Sequence, residues 1–287
     1  MRVILSRKGL DSGFGGLPSP VLPDGRILTI PIPGDPDEIP YAAVQSGYEG
    51  KNLYELLSGL SAHVLYNGEK TAWSERTMCH LDPDLGACSY PRKPGWRGCF
   101  GQGGAAQTVL ERAGVQAGDL FLFFGWFQRT QLRDGKLRFC PGQGFHMLYG
   151  YLQIEEVCYP QRSQEPIPDW LRYHPHVLPR RLDNPNNCIY LGARSASWND
   201  ALPGYGLFPT MEDALILTKP GMTRSRWRLP EDFRGLKLTY HAQSAWKDGY
   251  FQSACRGQEF VFEEDERVQA WAQGLIDLYA ARAEYTS

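Results

Sequence analysis

The chain has 287 residues, 30 Lys and Arg against 32 Asp and Glu, and an aromatic content of 13%. That aromatic content excludes a disordered chain, and a net charge of -2 excludes a whole-molecule field that would draw the protein to nucleic acid or to anionic lipid. No apolar run reaches the roughly 18 residues of a membrane span, and Met1 to Lys8 is charged too early for a signal peptide, so a cytoplasmic protein that avoids membranes is expected.

In chain order, Val3-Ile4-Leu5 reads as a short buried strand running into a polar, glycine-rich loop from Ser6 to Gly16. The prolines between Pro18 and Pro40 forbid helix there, and Asp24-Gly25 predicts a hairpin turn before an extended Arg26–Ile30. A helix is predicted at about Leu53 to Leu60. A second follows the glycines at 98, 101, 103 and 104, running over Ala105 to Ala113 with Gly114 as its stop. Asp119 to Gly125 is a continuous apolar run, which predicts a central strand buried on both faces.

Further strands are expected at His146 to Val157, Cys188 to Ala193, Ala214 to Thr218, Leu236 to Tyr240 and Glu259 to Glu263. Segment 158–187 is proline-rich and irregular. Near the end Val268, Trp271, Leu275, Leu278 and Ala281 form one helical stripe, behind an acidic run that suits the positive end of a helix. Strands outnumber helices. The expectation is a single compact α+β domain over 1–287, with a mixed, strand-rich sheet, a few flanking helices and a C-terminal helix. Seven cysteines without CxxC spacing argue against disulfides and against a zinc ribbon.

Several groups could carry chemistry. If His80-Leu81-Asp82-Pro83-Asp84 is extended, alternation puts His80, Asp82 and Asp84 on one face, a set suited to a divalent metal. An HxD pair completed by a distant histidine is also the pattern of a two-histidine, one-carboxylate iron site, and His146 is the expected partner. His174-Pro175-His176 offers two more imidazoles whose spacing is compatible with a metal and equally with none. The glycine loop before the second helix, with Gly101, Gln102, Gly103 and Gly104, is a candidate phosphate cradle, although it lacks a Walker ending. Arg7, Lys8 and Asp11 leave the end of the first strand, where ligands of open sheets tend to sit. Glu259 is a candidate base provided that the fold brings it to the histidines. Between Lys219 and Lys237 six basic residues surround Trp227 and could meet a nucleic-acid strand.

Taken together, Ser6–Ser12 with Gly15–Pro20, His80–Leu85, Phe100–Gln107, Gly118–Phe127 and Gly257–Val261 resemble the nucleotide-modification-associated domain of the third type. The likeness runs from about residue 2 to 262. It implies a domain found beside phage and bacterial genes that make modified bases in DNA, and its polar motifs match Arg7, Lys8, Asp11, His80, Asp82, Asp84, Gln102, Gln107, His146 and Glu259.

The expectation is therefore a metal-dependent enzyme acting on a nucleotide or a DNA base. Its metal ligands would be His80, Asp82, Asp84 and His146, with Fe(II) favoured over Mg, Mn or Zn. Asp11, Lys8 and Glu259 would be catalytic, and Arg7, Gly101, Gln102, Gly103, Gly104 and Gln107 would bind phosphate. Two alternatives are a non-catalytic module that binds nucleic acid or modified nucleotides through 219–237, and a metal-dependent small-molecule enzyme.

Overall fold

The computed structural model describes residues 1–34, 37–66, 68–162, 166–255 and 257–280. Ala281, predicted to end the C-terminal stripe, lies outside them. The fold is α+β, built on one large mixed sheet. Its six main strands lie in the order Cys99–Gln102, Cys188–Gly192, Phe145–Cys158, Leu120–Arg133, Val3–Arg7, Glu259–Val261. Val3–Arg7 runs parallel to Leu120–Arg133, and the other neighbours in this order are antiparallel.

Leu120 to Phe124 are buried on both faces, as the apolar run predicted. The strand continues far past Gly125 because its polar second half pairs with Lys136–Phe139 in a hairpin and with Ser19–Val21. Two other expected strands do not form ladders. Ile216 makes a single bridge to Met147 after a 3-10 turn at Asp213–Leu215, and Leu238 bridges His241 and Phe262. Arg26 and Ile27 likewise make single bridges, and the hairpin turn at Asp24-Gly25 closes through Leu22 N–H to Arg26 O.

The helices start where local chemistry dictates. Helix α1, Leu53–Leu60, opens with a capping box in which Asn52 Oδ1 accepts from Glu55 N–H and Glu55 accepts from Asn52 N–H, each at 2.9 Å. Helix α2, Gly104–Arg112, follows the glycine loop, and the chain leaves it at Gly114, whose φ of 70° is left-handed. The short helix α3, Pro179–Leu182, lies in the proline-rich segment. Helix α4, Glu266–Tyr279, is capped by Asp265 and buries Val268, Ala272, Leu275 and Ile276. Leu278, expected in that stripe, is 74% exposed, and Ile276 faces the core instead. No helix among the described residues is long and apolar enough to cross a membrane, and all seven cysteines are free thiols.

The sheet curls. Six strands laid flat would hold their outer members about 24 Å apart at the usual spacing, yet Gln102 on one outer strand donates to Glu259 on the other at 2.6 Å. Register shifts at Phe123/Phe124 and Ile154/Glu156 add twist of the kind that bends a sheet. The concave side is packed by Phe100, Phe121, Phe123 and Tyr190, whose rings meet at 5.0 to 5.8 Å.

His146, expected as a ligand, belongs to a different aromatic cluster, with Phe124, Trp227 and Phe260. Its ring lies against Phe124 and Trp227, and its Nδ1 accepts from Trp227 Nε1 at 3.1 Å. Desolvation, aided by the nearby Arg7 and Arg224 charges, pushes its pKa down to about 3. An unfolded histidine takes up its proton near pH 6.5, so between about pH 3 and 6.5 the unfolded chain binds more protons here and stability rises with pH. The expected slope from this residue is up to about 1.4 kcal/mol per pH unit. Urea midpoints measured from pH 4 to 7 should flatten in His146→Gln, and an unchanged pH dependence would refute the assignment.

Candidate metal centre

Three buried side chains converge beside the curl: His80, Asp82 and His176 are placed so that one donor atom of each lies within 4.8 Å of the others. Each is delivered by a different local device. His80 ends the strand Met78–His80, which is held on both sides by the short strands Ile32–Pro33 and Ile39–Pro40. The chain then turns through Asp82 and a cis Asp82–Pro83 peptide, with Asp82 N–H bonded to His80 O at 2.7 Å. It runs beside the edge strand Cys99–Gln102, so that Gly101 N–H donates to Asp82 Oδ1 at 2.7 Å. His176 sits in a 3-10 turn of the proline-rich segment, Pro175–Val177, capped by His174.

The hydrogen bonds orient both imidazoles. His80 Nδ1 lies 2.9 Å from Asp37 Oδ2, and His176 Nδ1 lies 2.6 Å from Asn187 Oδ1, while Asn187 Nδ2 donates back to His176 O. Both Nδ1 atoms therefore carry the proton, which leaves each Nε2 as a lone-pair donor. Asp37 is itself fixed by Arg180 at 2.9 Å. Burial alone would raise its carboxyl, but His80 and Arg180 outweigh that and hold it below the usual range. Burial likewise pushes Asp82 up, yet His174, His176 and His80 bring it to about 2. Burial pushes His176 down to about 3 against the pull of Asp82. An ionised Asp82 and a neutral His176 are the protonation states a metal requires of these two groups.

His174 stands one layer behind. Its Nδ1 accepts from His176 N–H, so its Nε2 carries the proton, 3.3 Å from Asp82 Oδ1. Glycine is required at two places in this packing. A Cβ on Gly101 would enter the His176 ring, and one on Gly34 would enter the Asp37 carboxylate. The donor set suits a divalent ion: two imidazole nitrogens and one carboxylate oxygen, anchored from behind and meeting on the wall of a cleft of about 490 Å³.

That cleft collects many of the residues singled out in the sequence: Arg7, Lys8, Asp11, His80, Asp82, Gly101, Gln102, Gly103 and Gly104 all line it. Glu259 is fully buried, with Oε1 taken by Lys8 Nζ at 2.7 Å and by Gln102 Nε2 at 2.6 Å, while its Oε2 has no partner among the described residues. Lys8 Nζ also lies 4.7 Å from the centre of the Phe100 ring. Asp11 Oδ1 accepts from Gly13 and Phe14 N–H, bracing the first loop. Gly103 N–H donates to Gln102 Oε1 and Gly104 N–H to Asn186 Oδ1, so the opening amides of α2 are met by protein acceptors.

Four expectations need correction, the first being the phosphate cradle, because the N–H groups of Gly101, Gly103 and Gly104 already donate to Asp82, Gln102 and Asn186. His146 is packed against Trp227, and His176 is the imidazole that joins His80 and Asp82. Asp84 is not aimed with Asp82, because regular alternation ends with the strand at His80. Its carboxylate is consumed by a bidentate Arg92 at 2.6 Å on each oxygen, by Tyr173 and by Trp96. Gln107 turns away from the cleft, accepting from Tyr190 at 2.8 Å.

Sequence reasoning also missed Asp37, Arg181, Asn184 and Asn187. The visible signals were the His-Pro-His triplet and the paired asparagines after Pro185. In the basic segment Trp227 is buried, Arg224 stacks on Trp126 at 4.0 Å, Arg226 on Tyr250 at 5.3 Å and Arg234 on Trp246 at 5.8 Å. Arg228 pairs with Asp213. Those charges are engaged within the protein.

A family model described as nucleotide modification associated domain 3 matches residues 2–263. No curated protein matches the chain, and no solved structure does.

Two substitutions separate these roles. Gly101→Ala should displace His176 and cost about 1–3 kcal/mol by overpacking. Asp84→Asn should cost about 3–5 kcal/mol because it strands the Arg92 charge. Denaturant titration measures both, and a neutral Asp84→Asn would mean that Arg92 has another partner.

Proposed function

Because the chain belongs to the family of nucleotide modification associated domain 3, we propose that it is a metal-dependent enzyme that modifies a nucleotide or a base of DNA, with one divalent ion on His80, Asp82 and His176. The observation that supports this reading is the orientation of two buried imidazoles by Asp37 and Asn187 toward a shared carboxylate at the cleft wall.

Two histidines and one carboxylate leave further coordination positions toward the cleft, the arrangement that suits Fe(II) best. Zinc and manganese accept the same donors, whereas magnesium favours oxygen ligands and open water positions. A bound iron would supply oxidation by dioxygen, and zinc or manganese would supply Lewis-acid hydrolysis or group transfer.

The chain's own groups take defined parts in this scheme. Lys8, held by Glu259, presents its Nζ to the cleft as a hydrogen-bond donor. Glu259, buried behind it, positions Lys8 and Gln102. Asp11 holds the loop that forms one lip of the cleft. The cytoplasm, where free thiols persist, is the proposed location.

Elemental analysis of protein purified without chelator should find close to one equivalent of divalent metal. His80→Ala and His176→Ala should abolish it, while His146→Ala should retain it. Asp37→Asn and Asn187→Ala should weaken affinity about 10- to 100-fold with the fold intact by circular dichroism. Metal retained in the His80→Ala, His176→Ala double variant, or failure of the native protein to take up Fe(II), Mn(II) or Zn(II), would overturn the proposal.

A further inference from the structure

Two arginines at the cleft have no ion-pair partner among the described residues. Five charged side chains line it, Arg7, Lys8, Asp11, Asp82 and Arg181, and three of these are cations. Lys8 is neutralised by Glu259. Neither arginine makes an ion pair with any carboxylate among the described residues. Arg7 donates to the carbonyls of Ala254 and Cys255 and lies over the rings of Phe124 and Phe260 at 5.7 and 5.6 Å. Arg181, from α3, has a buried Nε without a partner among the described residues. A guanidinium group that lines a cleft without an ion-pair partner can take an anion there, and the planar fork of arginine matches a phosphate. Arg181 lies close enough to the centre for its charge to act on His176.

The opposite feature stands on the same wall. Phe14 lines the cleft and is 54% exposed, although its loop is tightly tied. Asp11 Oδ1 accepts from Gly13 and Phe14 N–H at 2.7 and 2.8 Å, Asp11 N–H donates to Phe14 O, and Gly15 exchanges two backbone bonds with Leu65. A phenylalanine more than half exposed on a hydrogen-bonded loop leaves an aromatic face open at the cleft. An aromatic face at a cleft mouth is a stacking platform, because every nucleobase has a matching π-face.

We propose that Arg181 and Arg7 form a phosphate clamp and Phe14 a base-stacking face, so that the cleft takes one phosphate-bearing nucleotide with its reacting part at the His80–Asp82–His176 centre. The inference rests on the reading that this cleft is the substrate site. At about 490 Å³ the cleft is within the roughly 300–1,000 Å³ range of small-ligand sites. It therefore admits one nucleotide, either free or turned out of a strand, and not a duplex.

The test is calorimetric titration of the full-length protein, with metal removed and with metal restored. The ligands are the four 2′-deoxynucleosides, their 5′-monophosphates, inorganic phosphate and single-stranded pentanucleotides. At least one monophosphate or pentanucleotide should bind about tenfold or more tightly than the matching nucleoside, and Arg181→Ala should remove that advantage. Phe14→Ala should weaken nucleoside and nucleotide alike by about tenfold and leave inorganic phosphate unchanged. Preference for the monophosphate identifies a free nucleotide as the source of the phosphate, and preference for the pentanucleotide identifies a strand.

Equal binding of nucleosides and nucleotides, or an Arg181→Ala variant that keeps the phosphate preference, would overturn the clamp. So would the absence of binding by all of these ligands. Metal uptake, measured separately, should be unchanged in Phe14→Ala. A protein that takes up no metal yet binds nucleotides through Arg181 would refute the metal centre and leave the clamp standing.

Discussion

Position 101 sets the geometry of the centre. Its backbone N–H is the donor that fixes Asp82 Oδ1, and the space where its side chain would stand is filled by the ring of His176. Only glycine serves both purposes. An amide can approach a carboxylate from an edge strand with any residue in place, but an imidazole can press against that strand only where no Cβ projects. The glycine-rich stretch before α2 thus works mainly through what it lacks, by admitting a histidine from a distant segment, and its amides are spent on Asp82, Gln102 and Asn186.

The curl of the sheet supplies the second requirement. It brings Gln102 and Glu259 from opposite edges into contact and carries Lys8, at the end of the first strand, to the same wall. A flat sheet would leave these groups on separate flanks. With the curl, a buried carboxylate holds an ammonium group at a cleft whose two arginines form no ion pair among the described residues. Burial makes such pairs geometrically strict, because an unmatched charge in a low-dielectric setting costs several kcal/mol, roughly as much as a whole core side chain contributes.

The proline-rich segment 158–187 changes meaning in three dimensions. Its composition signals irregular backbone, and beyond Cys158, which ends a strand of the main sheet, it holds two 3-10 turns and the single turn of α3 among its described residues. Those short turns place His174, His176, Arg180, Arg181 and Asn187 against the edge of the main sheet and the Asp37 loop. Proline stiffens this wall without requiring a hydrogen-bonded ladder, so a segment with little regular structure carries much of the site.

Local rules written in the sequence were enough to determine α1 and α2 and the buried Leu120–Phe124 strand, whereas His80 and Asp82 meet through the turn that follows His80 and not through the alternation expected. Capping, glycine stops and side-chain alternation act over a few residues and need no knowledge of the rest of the chain. The same rules failed where a distant neighbour decides. Asp84 follows Asp82 by two positions, as alternation prefers, but Arg92, Tyr173 and Trp96 claim it. His146 and His176 look alike as residues, and packing alone separates them: one meets Trp227 in the core, the other Asp82 at the cleft. That choice belongs to the tertiary structure, because it depends on which surfaces the curled sheet brings together, a long-range property that no spacing along the chain encodes.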